Sequence, residues 1–179
     1  MYQSGLDHYA YRPEQTYVAV DGRLYQVGIW DTKGNPEFDA VRKSLYSCAD
    51  VVLLCFAVSS MASLKNVIDK WSLEADASGP SLPKILVGMK ADLRENRDVV
   101  DYLAQKRLKP VTYCQGLNAA KELGCVSYLE CSAVTGNGAL KVIEESIRVY
   151  LHCYSLRRET EKMEERKRQR KKKKRCVIC

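Results

Sequence analysis

The run Val-Val-Leu-Leu-Cys-Phe-Ala-Val at residues 51–58 restricts the fold more than any other stretch of this sequence. Every position is apolar, so a strand made from it needs cover on both faces, as strands of parallel sheets have. Residues 64–71 then repeat apolar side chains at helical spacing, and residues 85–88 form a second apolar run. The sequence therefore predicts parallel strands that alternate with helices.

The remaining segments extend the same alternation. Downstream, a helix, a strand and a terminal helix are predicted at residues 115–123, 126–131 and 140–151. Upstream, strands at 16–20 and 24–30 are joined by Asp21-Gly22, a strong signal for a β-hairpin. We expect an α/β fold in which a mostly parallel sheet is wound with helices on both faces.

Length and composition limit the class of protein. A chain of 179 residues with 46% hydrophobic side chains is expected to form one folded domain. No apolar run reaches the ~18–20 residues of a membrane span, and the N-terminal segment lacks a signal-peptide pattern. The eight cysteines show no framework spacing, which favours reduced thiols in the cytosol.

The positive charge is concentrated near the end of the sequence. Residues 1–156 carry 17 Lys/Arg and 18 Asp/Glu, a net charge of −1, whereas residues 157–179 carry 12 Lys/Arg and 4 Glu, a net charge of +8. A basic segment after a nearly neutral body is typical of attachment to an anionic membrane surface. The neutral body and the lack of interleaved aromatic residues argue against nucleic-acid binding.

Three predicted strands are followed by side chains suited to ligand binding. These segments are Asp31-Thr32-Lys33-Gly34-Asn35, Lys90-Ala91-Asp92 and Ser132-Ala133. The carboxyl ends of parallel strands meet at one edge of a sheet, where ligands bind. The first segment alone has another interpretation, because Asp-Thr-x-Gly is also an ordinary turn.

The three segments match the chemistry of a guanine nucleotide with Mg²⁺. The Asp92 carboxylate could accept two parallel hydrogen bonds from guanine, a pair that adenine cannot donate. The Lys90 stem could lie along the base, and backbone N–H groups of the third segment could reach the guanine oxygen. Asp31 could hold a hydrated Mg²⁺, and Gly34 leaves a backbone N–H open to a terminal phosphate.

At these motifs the chain resembles a Ras-like small GTPase, specifically one of the Rho family. The matching runs are Val20-Asp21-Gly22, Trp30-Asp31-Thr32, Lys70-Trp71, Ile85-Leu86-Val87-Gly88, Lys90-x-Asp92-Leu93-Arg94, Thr112-Tyr113-x-Gln115-Gly116-Leu117 and Tyr128-Leu129-Glu130-Cys131-Ser132-Ala133. The likeness covers roughly residues 15–155 and the basic tail. The charged stretch 94–109 lies where that family carries its surface insertion.

The resemblance implies a P-loop NTPase fold and a switch that binds GTP or GDP with Mg²⁺ and hydrolyses GTP. Asn35 stands at the position of the family's catalytic glutamine, and Asp31 at the position that holds Mg²⁺ through water. The implied nucleotide-binding residues are Asp31, Gly34, Lys90, Asp92, Leu93, Ser132, Ala133 and Val134. The implied partners are effectors, exchange factors, activating proteins and dissociation inhibitors.

Several features of the family are missing or altered in this sequence. It contains no Gly-x-x-x-x-Gly-Lys-Ser/Thr loop, and Tyr9 stands where a threonine would bind Mg²⁺ in the first switch. Asn35 is one methylene shorter than glutamine, Pro36 stiffens the second switch, and Met89 replaces a polar residue before the lysine of the second segment. We expect negligible GTP hydrolysis by this chain alone.

The family's first strand, P-loop and first helix are therefore expected to be missing, which would leave two apolar strand edges without partners. Two interpretations stay open: a truncated gene model or transcript of a fuller GTPase, and a short form that borrows a strand from a partner. The predicted organisation is an irregular segment over 1–14, a small-GTPase-like domain over 15–155 and a tail over 156–179.

The tail joins a basic run at 166–175 to the terminal sequence Cys176-Val177-Ile178-Cys179. Cysteine, two aliphatic residues and a terminal residue form a prenylation signal, and the basic run supplies the second attachment that a single lipid needs. We expect lipidation of Cys176 and a location on the cytoplasmic face of the plasma membrane or of endomembranes. A solvated disordered tail, a nuclear import signal, and a redox or zinc pair of cysteines are the other interpretations.

Two functions remain in view from the sequence. The first is a membrane-anchored Rho-type guanine-nucleotide switch with impaired hydrolysis. The second is a non-enzymatic pseudo-GTPase that acts as an interaction module at the membrane. The binding of guanine nucleotide separates them.

Overall fold

The computed structural model describes residues 13–79 and 82–174, with side chains through residue 167. Its strands and helices alternate in the order that the sequence predicts. In chain order they are β1 (Glu14–Val20), β2 (Arg23–Ile29), α1 (Asp39–Tyr46), β3 (Val52–Ala57), α2 (Met61–Asn66), α3 (Ser72–Ser78), β4 (Lys84–Met89), α4 (Arg97–Gln105), α5 (Tyr113–Glu122), β5 (Ser127–Glu130) and α6 (Ala139–Lys174). Two 3₁₀ turns and one π-helical turn lie at Pro36–Phe38, Ala91–Arg94 and Val67–Trp71.

Strands β3, β4 and β5 form a parallel sheet in that order. Leu54 lies opposite Leu86, Leu86 lies opposite Tyr128, and all three side chains are buried. Strand β4 is buried from Lys84 to Gly88, which is why its sequence is almost wholly apolar and does not alternate. A parallel sheet with helices on its faces confirms the predicted α/β fold.

β1 and β2 form a separate antiparallel hairpin. Asp21 and Gly22 at its tip have φ angles of 50° and 77°, as a two-residue type I′ turn requires. The hairpin begins at Glu14, so the last residue of the predicted irregular segment belongs to a strand.

Helix α6 packs against both sheets. Val20 of the hairpin and Ile147 of α6 lie in one apolar cluster, while Ile85 of β4 and Val142 of α6 lie in another. The opposite face of the three-stranded sheet holds a larger core around Phe56, which α2, α3 and α5 help to form. One helix therefore connects two sheets that do not pair with each other.

Within residues 13–79 and 82–174, β2 pairs only with β1, and β3 pairs only with β4. β2 and β3 therefore each have one edge without a ladder partner among the described residues. Cys55 of β3 is exposed and Cys131 is half-buried, although both lie in or beside largely apolar strands. An apolar run indicates which side chains need cover, but it does not indicate which face receives it.

The helix that follows β3 begins earlier than predicted. Ser60 caps it by accepting a hydrogen bond from the Ser63 N–H at 3.2 Å. The Ser63 hydroxyl donates to the Ser60 carbonyl at 2.7 Å, so Ser63 lies in the first turn of the helix. Serine hydroxyls commonly bond to backbone groups in the first turn of a helix, as both of these residues do here.

Helix α6 continues to Lys174 without a break at residue 156, so much of the predicted tail is helical. Its side chains from residue 156 to residue 167 are exposed. None of the described helices is both long and apolar enough to cross a membrane. Cys176 and Tyr9 lie outside the described residues.

Candidate functional site

The ends of β4 and β5 are held together by a backbone hydrogen bond. The Ala91 N–H donates to the Cys131 carbonyl at 3.0 Å. Just before it, Lys90 adopts a left-handed backbone, with φ of 57°, which turns the chain from the strand into the 3₁₀ turn that follows. The second and third predicted segments therefore lie side by side at the carboxyl edge of the sheet.

Asp92 lies in that 3₁₀ turn, which the Leu93 N–H closes by donating to the Lys90 carbonyl at 3.0 Å. One carboxylate oxygen of Asp92, Oδ1, is buried, and no described residue donates a hydrogen bond to it. Buried acceptors are usually paired, because an unpaired one destabilises the folded protein. This oxygen therefore fits a ligand that donates N–H groups, as guanine does.

The turn after β5 is held by its own hydrogen bonds. Ser132 is 2% exposed, its N–H donates to the Asn137 carbonyl at 2.9 Å, and its hydroxyl accepts from the Thr135 N–H at 3.2 Å. The Ser132 N–H is therefore bonded within the turn, and the other backbone N–H groups of the turn are the candidate donors to the guanine oxygen. Ala133 and Val134 are exposed at the tip of the turn.

A partly buried ion pair supports this part of the site. Arg94 donates to the two Glu130 carboxylate oxygens at 2.5 and 2.6 Å, and its Nε donates to the Val111 carbonyl at 3.0 Å. Burial acts to raise the pKa of Glu130, but hydrogen bonds from Arg94 and Tyr128 outweigh it and lower the pKa. The two parallel hydrogen bonds between Arg94 and Glu130 connect the 3₁₀ turn that carries Asp92 to β5. Both charged residues stand in the matching runs, yet sequence reasoning gave neither a role.

The first predicted segment follows β2 and lies on the surface, with Asp31 through Asn35 exposed. Asn35 has an extended backbone, and its side chain makes no capping hydrogen bond to the 3₁₀ turn that it precedes. Gly34 approaches Trp71, since a Cβ atom at this glycine would lie 3.2 Å from the indole Cζ2. Over the described residues, no three His, Cys, Asp or Glu side chains form a metal cluster. Asp31 would therefore hold Mg²⁺ only together with other ligands, such as phosphate oxygens.

Cys55 of β3 lies within electrostatic range of Asp31 and of Cys131. Although its residue is partly open to solvent, desolvation is the main cause that raises the pKa of its thiol to about 11, and nearby Cys131 and Asp31 add to that shift. Among the hydrogen bonds of the described residues, none joins the first segment to the second or third. The structure thus joins the second and third segments directly, whereas no hydrogen bond of the described residues joins the first segment to either.

Arg42 of α1 is a buried cation that the sequence did not reveal. It is 3% exposed and donates to the Lys33 carbonyl at 2.7 Å and to both Glu74 carboxylate oxygens, at 2.5 and 2.9 Å. The hydrogen bond from Arg42 is the main cause that lowers the pKa of Glu74. A basic residue in a short polar helix is ordinarily solvated, so its pattern gave no signal.

The fold and the edge described above define an α/β protein with ligand-binding side chains at the carboxyl ends of its parallel strands. Residues 9–152 match the Ras family. The chain is 37% identical over 167 residues to the GTP-binding protein RHO1 of Candida albicans, a match that covers 92% of this chain and 78% of that protein. The corresponding protein of Eremothecium gossypii is 39% identical over 161 residues, with 90% and 75% covered, and that of Saccharomyces cerevisiae is 38% identical over 167 residues, with 92% and 78% covered.

The chain therefore belongs to the Rho family of Ras-like small GTPases, as its motifs predicted. Membership implies a switch that binds guanine nucleotide, with regulators and effectors as its partners.

Proposed function

We propose that this chain is a Rho-type guanine-nucleotide switch that acts at a membrane and hydrolyses GTP slowly. The base-recognition residues are Lys90, Asp92, Leu93, Ser132, Ala133 and Val134. The single observation that carries the proposal is the buried, unpaired Oδ1 atom of Asp92 beside the turn after β5. A carboxylate at that place selects guanine, since the base offers two parallel N–H donors to it.

The phosphate half of the proposed site is the exposed segment after β2. Asp31 binds Mg²⁺ through water, and the Gly34 N–H faces the terminal phosphate. When bound, Mg²⁺ supplies positive charge to the phosphates, and Asp31 contributes one carboxylate, a common arrangement for this ion. Support comes from the exposure of Asp31 and from the position of Gly34 beside Trp71, where a Cβ atom would lie tightly against the indole at 3.2 Å.

Slow hydrolysis follows from the residue that stands in the catalytic position. Asn35 is shorter than glutamine, and its exposed side chain caps no helix and is followed by Pro36. A shorter amide reaches less far toward an attacking water, so transition-state positioning is weaker. The same observation favours the second candidate, a pseudo-GTPase that binds regulators or effectors without turnover. Exchange factors, activating proteins, dissociation inhibitors and effectors are the partner classes in either case.

Nucleotide binding to the full chain and to Asp92→Asn tests the proposal. An amide presents an N–H where guanine also presents N–H groups, so we expect GDP affinity to fall about tenfold to a hundredfold. Xanthosine diphosphate carries a carbonyl in place of the exocyclic amine of guanine. Its affinity should therefore fall less than that of GDP in Asp92→Asn, or rise. Fluorescent GDP and GTP analogues, titrated with and without Mg²⁺, give the affinities.

Asp101→Asn, which removes an exposed carboxylate from α4, is the matched control and should leave GDP affinity unchanged. Equal affinity for adenosine and guanosine diphosphates, or equal GDP affinity of the Asp92 variant and the unchanged chain, would contradict base selection by Asp92. A folded chain that binds none of these nucleotides supports the non-enzymatic module. GTP turnover at the rate of an efficient GTPase contradicts slow hydrolysis.

Membrane attachment is the second part of the proposal. It rests on the Cys176-Val177-Ile178-Cys179 sequence and on the +8 net charge of residues 157–179. One prenyl chain binds a membrane weakly, and each Lys or Arg near an anionic leaflet adds about 1 kcal/mol, so the two act together. The proposed location is the cytoplasmic face of the plasma membrane or of endomembranes.

Cys176→Ser is expected to move the protein from the membrane fraction to the soluble fraction of cells, because it removes the thiol that would carry the lipid. Cys114→Ser, which changes an exposed cysteine at the start of α5, is the control and should stay on membranes. Membrane retention of the Cys176 variant would show that the attachment does not depend on a prenyl group.

A further inference from the structure

We propose that Arg42 is a positioning residue that holds the backbone of Lys33 and Gly34 against helix α3 and makes that helix respond to whatever the segment binds. The response to nucleotide rests on the proposed function, whereas the mechanical connection stands on the contacts of Arg42 itself. The sequence assigned no role to this residue.

The guanidinium of Arg42 joins three parts of the chain. Its Nη1 donates to the Lys33 carbonyl at 2.7 Å, and its Nε and Nη2 donate to Glu74 of α3 at 2.5 and 2.9 Å. Nη2 also donates to Asp39, one turn earlier in α1. The loop that contains Lys33, helix α1 and helix α3 are therefore connected through one planar group whose donors point in fixed directions.

Trp71 completes the connection on the other side. The Arg42 guanidinium carbon lies 4.7 Å from the centre of the Trp71 ring, and a Cβ atom added at Gly34 would lie 3.2 Å from the same ring. A shift of Gly34 away from the helix would remove packing from the indole and would separate Lys33 from its donor. Because Arg42 is buried, water would not readily replace the lost hydrogen bond. The segment and α3 are thus expected to move as a unit.

A movement of helix α3 would change the surface that the protein presents to a partner. Leu73, next to Glu74, is 62% exposed and lies on the outer surface of the helix. A displacement of Glu74 by Arg42 would shift this apolar side chain, which is the kind of group that a partner protein recognises. The coupling needs no residue beyond those that already touch.

Helix α3 also forms an ion pair with Lys84 of β4, and this pair does not involve Arg42. The Lys84 ammonium donates to Asp76 at 2.7 Å and to Ser72 at 3.1 Å, and both acceptors belong to α3. Lys84 is buried as well, so its removal perturbs the same helix without a contact to Lys33. The pair therefore provides a matched control for a purely structural role.

Amide hydrogen exchange of the full chain without ligand tests the mechanical connection. Arg42→Lys keeps the charge but not the planar set of donors, and we expect exchange at Phe38, whose N–H donates to the Asn35 carbonyl at 3.1 Å, to accelerate about tenfold or more. Glu74→Gln should act in the same direction, and it provides a second measurement if the first variant folds poorly. Lys84→Met should leave the Phe38 amide within about twofold of its rate in the unchanged chain. Unchanged exchange in both Arg42→Lys and Glu74→Gln overturns the proposal.

The response to nucleotide can be read from Trp71, because Trp30→Phe leaves it as the only tryptophan. We expect its emission to differ between GDP and a non-hydrolysable GTP analogue, and the difference to disappear in Arg42→Lys at saturating nucleotide. A difference that survives in Arg42→Lys, or none in the presence of Arg42, overturns the coupling. If neither nucleotide binds, the proposed function fails, while the exchange experiment still decides the role of Arg42.

Discussion

At the scale of single residues, Tyr128 shows how one side chain fixes the choice of its neighbours. Its hydroxyl donates to Glu130, and its ring packs against Phe56 and Tyr113. The ring end lies so close to α5 that a Cβ atom on Gly116 would come within 2.1 Å of the hydroxyl oxygen. Gly116 is therefore needed for close approach and not for an unusual backbone angle.

Gly116→Ala should destabilise the fold, because either Tyr128 or α5 must move to admit a methyl group. Overpacking of this kind lowers the free energy of unfolding by about 1–3 kcal/mol. Urea denaturation followed by circular dichroism measures the change.

Tyr128→Phe in the Gly116→Ala background provides the control. Removal of the hydroxyl relieves the closest contact, so the double variant should lose less stability than the sum of the two single variants. Strict additivity would mean that Gly116 and Tyr128 do not interact in the way the contact implies.

At the scale of elements, α6 has two parts with different roles. Up to Leu151 its apolar side chains pack on the hairpin and on the three-stranded sheet. Beyond residue 156 the described side chains are exposed, so helix formation there receives no support from the core.

Glu161→Pro should unfold the distal part of α6 and leave the body intact. Proline removes a backbone donor and clashes with the preceding turn, a penalty of about 3 kcal/mol that an unpacked helix cannot offset. We expect weaker far-UV helical circular dichroism and a urea midpoint for the body that is unchanged. Glu161→Ala should lose no helicity. A lower midpoint for the proline variant would indicate that the distal helix packs against the body in solution.

The contrast between packed and unpacked segments also explains which secondary-structure elements the sequence could predict. The apolar runs of β3 and β4 and the Asp21-Gly22 turn each depend on a local rule, and the structure has strands and a hairpin there. The length of α6 was not predicted, because the hydrophobic periodicity ends near Leu151 and only the backbone continues. Boundaries are hard to predict where no side chain is required to mark them.

At the scale of the whole molecule, some contacts of the candidate site could be predicted from the sequence and others could not. Asp92 and Ser132 could be predicted to meet, since parallel strands deliver their carboxyl ends to one edge. The Arg42 cluster could not, because it depends on contacts between residues 32 positions apart, such as Arg42 and Glu74. The use of the Ser132 N–H within its own turn was also invisible, since it depends on the path of the following loop.

The two sheets are held together mainly by α6, and this arrangement predicts that they can be loosened separately. Ile147→Ala removes apolar contacts from the hairpin, with Val18 and Val20 as its neighbours. Truncation of a buried isoleucine lowers stability by about 2–5 kcal/mol. In this variant amide exchange should accelerate more in β1 and β2 than in β4. Among the described residues, β1 and β2 pair only with each other, so no further strand supports the hairpin.

Val142→Ala provides the reciprocal case, because Val142 packs against Ile85 and Val87 of β4 and does not belong to the hairpin cluster. It should accelerate exchange in β4 and leave the hairpin amides closer to their original rates. The predicted pattern is a crossed one: each variant loosens the sheet that it touches. If both variants accelerate exchange uniformly over the two sheets, the body unfolds as one cooperative unit, and α6 does not act as a bridge between separable parts.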